Sequence, residues 1–151
     1  MPSDATNEAT RQEWRSLGFF YELDDPAKVW RLVGSRSGLL RFRDALLEYA
    51  ADPSNADDSE HEHYGPYMYL EIMTWPEAGF DHHAIHGTLS DLKRLAKLVE
   101  AKLAVIPHGE IIRIQSEFAL NSPYGLILEV REDGFDPAEA DPMLHLPAPN
   151  Q

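Results

Sequence analysis

The chain has no cysteine, so disulfides, thiolate nucleophiles and cysteine-ligated metals are excluded. Cations are scarce: 13 Lys and Arg stand against 26 Asp and Glu, a formal net charge of −13 with His neutral. A surplus of this size argues against a nucleic-acid backbone or an anionic membrane surface as partner, and favours a basic protein. No apolar run in the sequence approaches the roughly 18 residues needed to cross a bilayer. The opening stretch MPSDATNEATRQEW lacks the basic start and apolar segment of a secretory leader, so a cytoplasmic location is expected. A G-x-S-x-G elbow, a Walker-A loop and a G-x-G-x-x-G turn are all missing. No cofactor is therefore expected, and binding is favoured over catalysis.

What is present fits one domain. The 151 residues are 43% apolar and 26% charged, enough for one hydrophobic core. Residues 1–13 read as a polar, flexible arm and 137–151 as an irregular tail with Pro137, Pro142, Pro147 and Pro149. The stretch Ala51 to His63 reads as a long acidic loop. Between arm and tail, residues 14–136 contain four landmarks twice. Gly34 recurs at Gly87, Pro66-Tyr67 at Pro123-Tyr124, Leu70-Glu71 at Leu128-Glu129, and Gly79-Phe80-Asp81 at Gly134-Phe135-Asp136. The offsets are 53, 57, 58 and 55 residues, so the domain reads as two repeats, about 28–81 and 82–136.

Each repeat holds a helical stripe. Leu92, Leu95, Ala96, Val99 and Leu103 share one helix face, and Leu39, Phe42, Leu46 and Ala50 form the counterpart. Ser35 and Thr88 are the matching caps, with Asp91 completing an approximate capping box. The strand segments alternate: Met68, Leu70, Ile72 and Thr74 oppose Tyr67, Tyr69, Glu71, Met73 and Trp75, and Leu126, Leu128 and Val130 oppose Ile127, Glu129 and Arg131. Phe19 to Tyr21 suggests a further edge strand. The expectation is a two-layer α+β domain of ferredoxin-like internal duplication, with two helices on one face of an antiparallel sheet.

Four groups of residues are candidates for chemistry. Gly34 to Gly38 looks like a phosphate cradle, but it has no Lys, and its counterpart places Asp91 where a phosphate would sit; an N-capped turn explains both. Five of seven histidines cluster as His61 and His63, then His82, His83 and His86. Extended, His82 and His86 would stand about 13 Å apart and His61 and His63 about 7 Å, so a metal site requires the clusters to meet. His61, His63, His82 and His86 are its candidate ligands, for a metal-binding module or metal-dependent enzyme. Glu71 and Glu129 hold equivalent repeat positions and could act as an acid–base pair, or serve as partners of Arg113 and Arg131. Tyr67, Tyr69, Met73 and Trp75 form a row of large side chains, an interface signature. A partner, a homodimer, or the chain's own N-terminal segment or tail would each cover it.

The Gly87-Thr88 turn, the helix with Leu92 and Leu95-Ala96, and the Leu128-Glu129-Val130 strand resemble small acidic immunity proteins of bacterial polymorphic-toxin systems. The resemblance implies a cytosolic, non-enzymatic protein that neutralises a toxin by binding it. It transfers no individual binding residue. The expected function is thus protein binding, which the resemblance directs at a basic toxin domain, through Tyr67, Tyr69, Glu71, Met73, Trp75 and Glu129, with the histidine metal site as the alternative.

Overall fold

A computed structural model describes residues 3–146. Three helices are present: α1 (Asp4–Leu17), α2 (Arg36–Ala51) and α3 (Leu89–Val105). Eight strands accompany them: β1 (Phe20–Asp24), β2 (Val29–Ser35), β3 (His61–Tyr64), β4 (Leu70–Thr74), β5 (Gly79–Phe80), β6 (Ile85–Gly87), β7 (Ile111–Ile114) and β8 (Gly125–Arg131). The α+β class is as expected, but the strands divide into two mixed sheets instead of forming one antiparallel sheet. The first has the order β1-β2-β8-β7 and the second β3-β4-β6-β5. Each is mixed, with two antiparallel hairpins joined by a central parallel pair, β2 with β8 and β4 with β6.

The connectivity explains the split. Each half is hairpin, helix, hairpin: β1-β2-α2-β3-β4, then β5-β6-α3-β7-β8. Each helix leads from one sheet to the other, so every sheet takes one hairpin from each half. The repeats run 20–74 and 79–131, displaced from the sequence boundaries. Gly79-Phe80 is strand β5 and opens the second half, whereas Gly134-Phe135-Asp136 lies in no strand, so that landmark is not an equivalence. The strand landmark also slips. Gly34 pairs with Val130, and Gly87 with Thr74, so Glu129 corresponds to Met73 and Glu71 to Ile127. A two-residue slip keeps each side chain on its face, which is why alternation alone did not show it.

The two helices pack against each other and face both sheets in one core. Leu39, Phe42 and Leu46 are fully buried, as are Leu92, Leu95 and Val99. Each helix starts on a capped turn: Ser35 Oγ accepts from Gly38 N at 3.1 Å, and Thr88 Oγ1 from Asp91 N at 3.1 Å. Only α3 completes the capping box, with Thr88 N donating to Asp91 Oδ2 at 3.0 Å. The ends are more ordered in structure than their composition suggests. The expected arm lies mostly in α1, whose Trp14 is buried against Phe20 and Tyr21 with ring centroids 5.0 and 5.1 Å away. Arg15 grips Asp136 at 3.0 Å. The tail forms two 3₁₀ turns, Pro137–Ala140 and Pro142–His145, and buries Ala138, Asp141 and Leu144. Residues 147–151 of the tail, Pro147 and Pro149 included, lie outside the described residues.

Candidate functional site: an acidic aromatic groove

A groove of about 550 Å³ lies where α1, β1 and the tail meet the outer side of the second sheet. Aromatic side chains from four places line it: Trp14, Tyr21, Trp30, and the Tyr67-Tyr69 pair. Its acidic residues are Glu22, Glu71 and Asp141; His63, His82 and His83 complete the polar lining, and no Lys or Arg contributes. The volume is in the range of ligand-binding clefts, and the mix of apolar walls with few polar groups is typical of them.

Tyr67 and Tyr69 are held by an unusual turn. The expected strand begins only at Leu70, and Pro66–Met68 forms a single turn before it, with Met68 N donating to Gly65 O at 3.1 Å. Tyr67 and Met68 have φ of +66° and +56°, a left-handed conformation that costs non-glycine residues energy and persists only when neighbours impose it. The neighbours here are specific. The Tyr21 hydroxyl donates to Pro66 O at 2.5 Å and accepts from Tyr69 N at 3.1 Å. The Tyr67 hydroxyl donates to Asp141 Oδ2 at 2.7 Å, the oxygen that also accepts from Trp14 Nε1 at 2.8 Å. Asp141 Oδ1 accepts from Met143 N at 2.9 Å, and the residue is only 2% exposed. Burial, and then the Asp141 carboxylate, push the Tyr67 hydroxyl well above the usual tyrosine range, so it stays a donor. One tail carboxylate therefore ties α1 to the turn that presents the tyrosines.

The aromatic row is partly assembled. Tyr67 is 43% exposed, Tyr69 69% and Trp75 41%, so the chain does not bury them as a second core. Tyr67 and Tyr69 stack with ring centroids 5.8 Å apart. Met68, 59% exposed, joins them at the groove, a residue the alternation had assigned to the inner face. Met73 is half-buried on β4, and Trp75 follows that strand outside the groove lining.

The paired-carboxylate arrangement is not realised. Glu71 is on the second sheet, opposite His63, with His63 Nε2 at 3.7 Å. Glu129 is on the first sheet, where it receives Arg31 at 2.8 Å and Arg131 at 2.9 Å. Arg131 is thus its partner as expected, and Arg113 is not. The metal ligand set does not converge either. His61 and His63 sit side by side, ring centroids 5.2 Å apart. His86 is buried and bonded through Nδ1 to Glu77 O at 2.7 Å, with Asp81 Oδ2 3.5 Å from Nε2. His82 stacks on His83 at the β5-β6 turn, 3.9 Å between ring centroids. Among the described residues no three His, Asp or Glu side chains are placed to hold a metal ion. Their separation follows from the sheet: His61, Met73 and His86 occupy one row on three adjacent strands, which spaces the outer two by about 10 Å.

Sequence reasoning missed Trp14, Trp30 and Asp141. The last had a signal. Asp52-Pro53, Asp136-Pro137 and Asp141-Pro142 repeat one dipeptide, and each Asp accepts from the backbone N–H two residues on. The tail was therefore built of specified turns. Compared with protein-family models, with curated proteins and with solved structures, the chain matches none.

Proposed function

We propose that this chain is a non-enzymatic protein-binding domain with a basic partner, of the kind an immunity-type inhibitor presents to a toxin domain. The observation that supports it most is the exposure of Tyr67, Met68 and Tyr69 at the groove, with Trp75 also exposed beyond β4, on a molecule of net charge −13. Exposed aromatic side chains on a rigid base anchor interfaces at low entropic cost. The surrounding negative charge would speed encounter with a basic partner more than it would strengthen the complex. The alternative, metal chemistry, has no converging ligand set to support it.

The test is binding to a basic toxin-domain protein, measured by calorimetry with the full chain. Tyr69→Ala and Trp75→Ala should each weaken a genuine complex by about 2 kcal/mol or more, mainly through faster dissociation. Reversing Asp57 and Asp58 to Lys should slow association modestly, with the difference vanishing at high salt. Affinity unchanged in both aromatic variants would overturn the assignment of this face, and no measurable complex would overturn the partner.

A further inference from the structure

We infer that the groove is a receptor for one arginine side chain of the partner, stacked on the Tyr67-Tyr69 pair and directed at Glu71 and Asp141. The inference rests on the protein-binding reading and adds what the site recognises.

The two sheets supply the argument. On the first sheet Arg31 sits between two carboxylates, 2.5 Å from Glu22 and 2.8 Å from Glu129. Counting back along β6 from Gly87, which corresponds to Gly34, the place of Arg31 on the second sheet is taken by Ala84. The place of Arg113 is taken by His63. The second sheet thus carries a carboxylate, Glu71, in the place of Ile127, and has no Lys or Arg in the row where the first sheet supplies Arg31 and Arg113. Asp141 adds a second, independent indication. It is 98% buried at the groove wall, and its three hydrogen-bond donors, Trp14 Nε1, Tyr67 Oη and Met143 N, are all neutral. A buried carboxylate without a cation is costly, and a ligand cation would relieve that cost.

Arginine suits this lining better than lysine. Its planar guanidinium stacks on aromatic faces while its edge forks to carboxylates, whereas an ammonium is a strongly hydrated point charge. The molecule uses the same contact internally, with the Arg94 guanidinium 5.0 Å from the Phe118 ring centre and that of Arg131 5.3 Å from Phe135. The groove has the walls and the acceptors for such a side chain and no Lys or Arg in its lining.

Three indole N–H groups make the test direct. Nα-acetyl-arginine amide is titrated into the full-length ¹⁵N-labelled protein, with the acetylated lysine and citrulline amides in parallel. Citrulline keeps the planar head and loses the charge. The indole signals of Trp14 and Trp30, which line the groove, should shift with a Kd on the order of 1 mM, while that of Trp75 stays in place. Lysine amide should bind several-fold more weakly and citrulline amide at least ten-fold. Asp141→Asn, which keeps the shape and whose amide oxygen can still accept from Trp14 Nε1 and Tyr67 Oη but whose NH2 cannot accept from Met143 N, should weaken arginine amide about ten-fold. If that variant does not fold, Glu71→Gln and Tyr69→Ala on the exposed side should each weaken it several-fold. Equal shifts with arginine and citrulline, or movement of Trp75 alone, would overturn the inference. No arginine binding alongside a partner complex that Tyr69→Ala weakens would overturn the arginine pocket alone. Arginine binding alongside a complex indifferent to Tyr69→Ala would instead overturn the functional assignment of the patch.

Discussion

The two sheets have the same strand order, reached by the same connections, and opposite outer surfaces. On the first sheet the outer row Glu22, Arg31, Ile127 and Arg113 carries its own cations, and Phe20 and Val33 beside it are buried. The corresponding row on the second sheet contains Ala84, Glu71 and His63, with no Lys or Arg. The inner faces, by contrast, are alike: Leu32, Leu128 and Ile112 face the helices from one side, and Ile72, Ile85 and Leu70 from the other, all buried. The internal repeat therefore specifies the core, and the candidate site arises where the repeat is broken. Its lining comes partly from α1, the Pro66–Met68 turn and the tail, none of which is duplicated, and partly from β1, Trp30 of β2 and a second-sheet face that has diverged from its twin.

The most damaging way to test the shared core is Phe42→Ala, or its counterpart Leu95→Ala. Both residues are fully buried, and losing the ring and leaving a cavity should cost about 4 kcal/mol for Phe42 and about 3 for Leu95. Because each sheet holds a hairpin from each half, urea unfolding followed by tryptophan fluorescence and by circular dichroism should remain one coincident transition in both variants. Separate transitions would show that the halves fold independently.

Gly38→Ala probes the junction between symmetric and added parts. Gly38 corresponds to Asp91, but a Cβ on Gly38 would lie 2.1 Å from the carbonyl oxygen of Gly18, at the C-terminal cap of α1. In an open helix the change would stabilise by up to about 1 kcal/mol. Here it should destabilise by about 2 kcal/mol, since backbone must move to admit the methyl group. Neutral or improved stability in the same urea assay would mean that α1 is not fitted to the start of α2.

Much of this was legible in the chain, for reasons that are local. The stripes of α2 and α3 follow from a 3.6-residue period, and the caps from a hydroxyl followed by a free N–H three residues later. Such signals need no knowledge of distant contacts. The division into two sheets was not legible, because alternation in Leu70 to Thr74 and in Gly125 to Arg131 reports a buried face and is silent about which strand lies alongside. Tyr67 read as a strand residue because the Tyr-x-Tyr alternation continues through a turn that only distant groups, Tyr21 and Asp141, hold in place. The site depends on Trp14 and Asp141, 127 residues apart in sequence, and no local pattern joins them.

The mildest test concerns the caps. Asp91 completes a box that α2 cannot have, since Gly38 has no side chain to reach back. Burial alone would raise the Asp91 carboxyl, but the hydrogen bonds with Thr88 outweigh it, Arg94 adds to them, and the group lies below the usual aspartate range. A carboxyl depressed in the folded state stabilises fully above its unfolded value. That contribution fades as the pH falls through the ordinary aspartate value of 3.8 and on through the lower folded one. Asp91→Ala should therefore cost about 1 kcal/mol at neutral pH, the usual size of a lost cap. The gap between variant and parent should narrow below about pH 4 as the parent protonates. Ser35→Ala, at the helix capped without a carboxylate, should cost a similar amount with no such narrowing from its own side chain. Urea midpoints for the three proteins at pH 7 and pH 3.5 decide it. A constant gap for Asp91→Ala would show that its carboxylate charge contributes nothing to the cap, and would leave the two helix starts energetically alike.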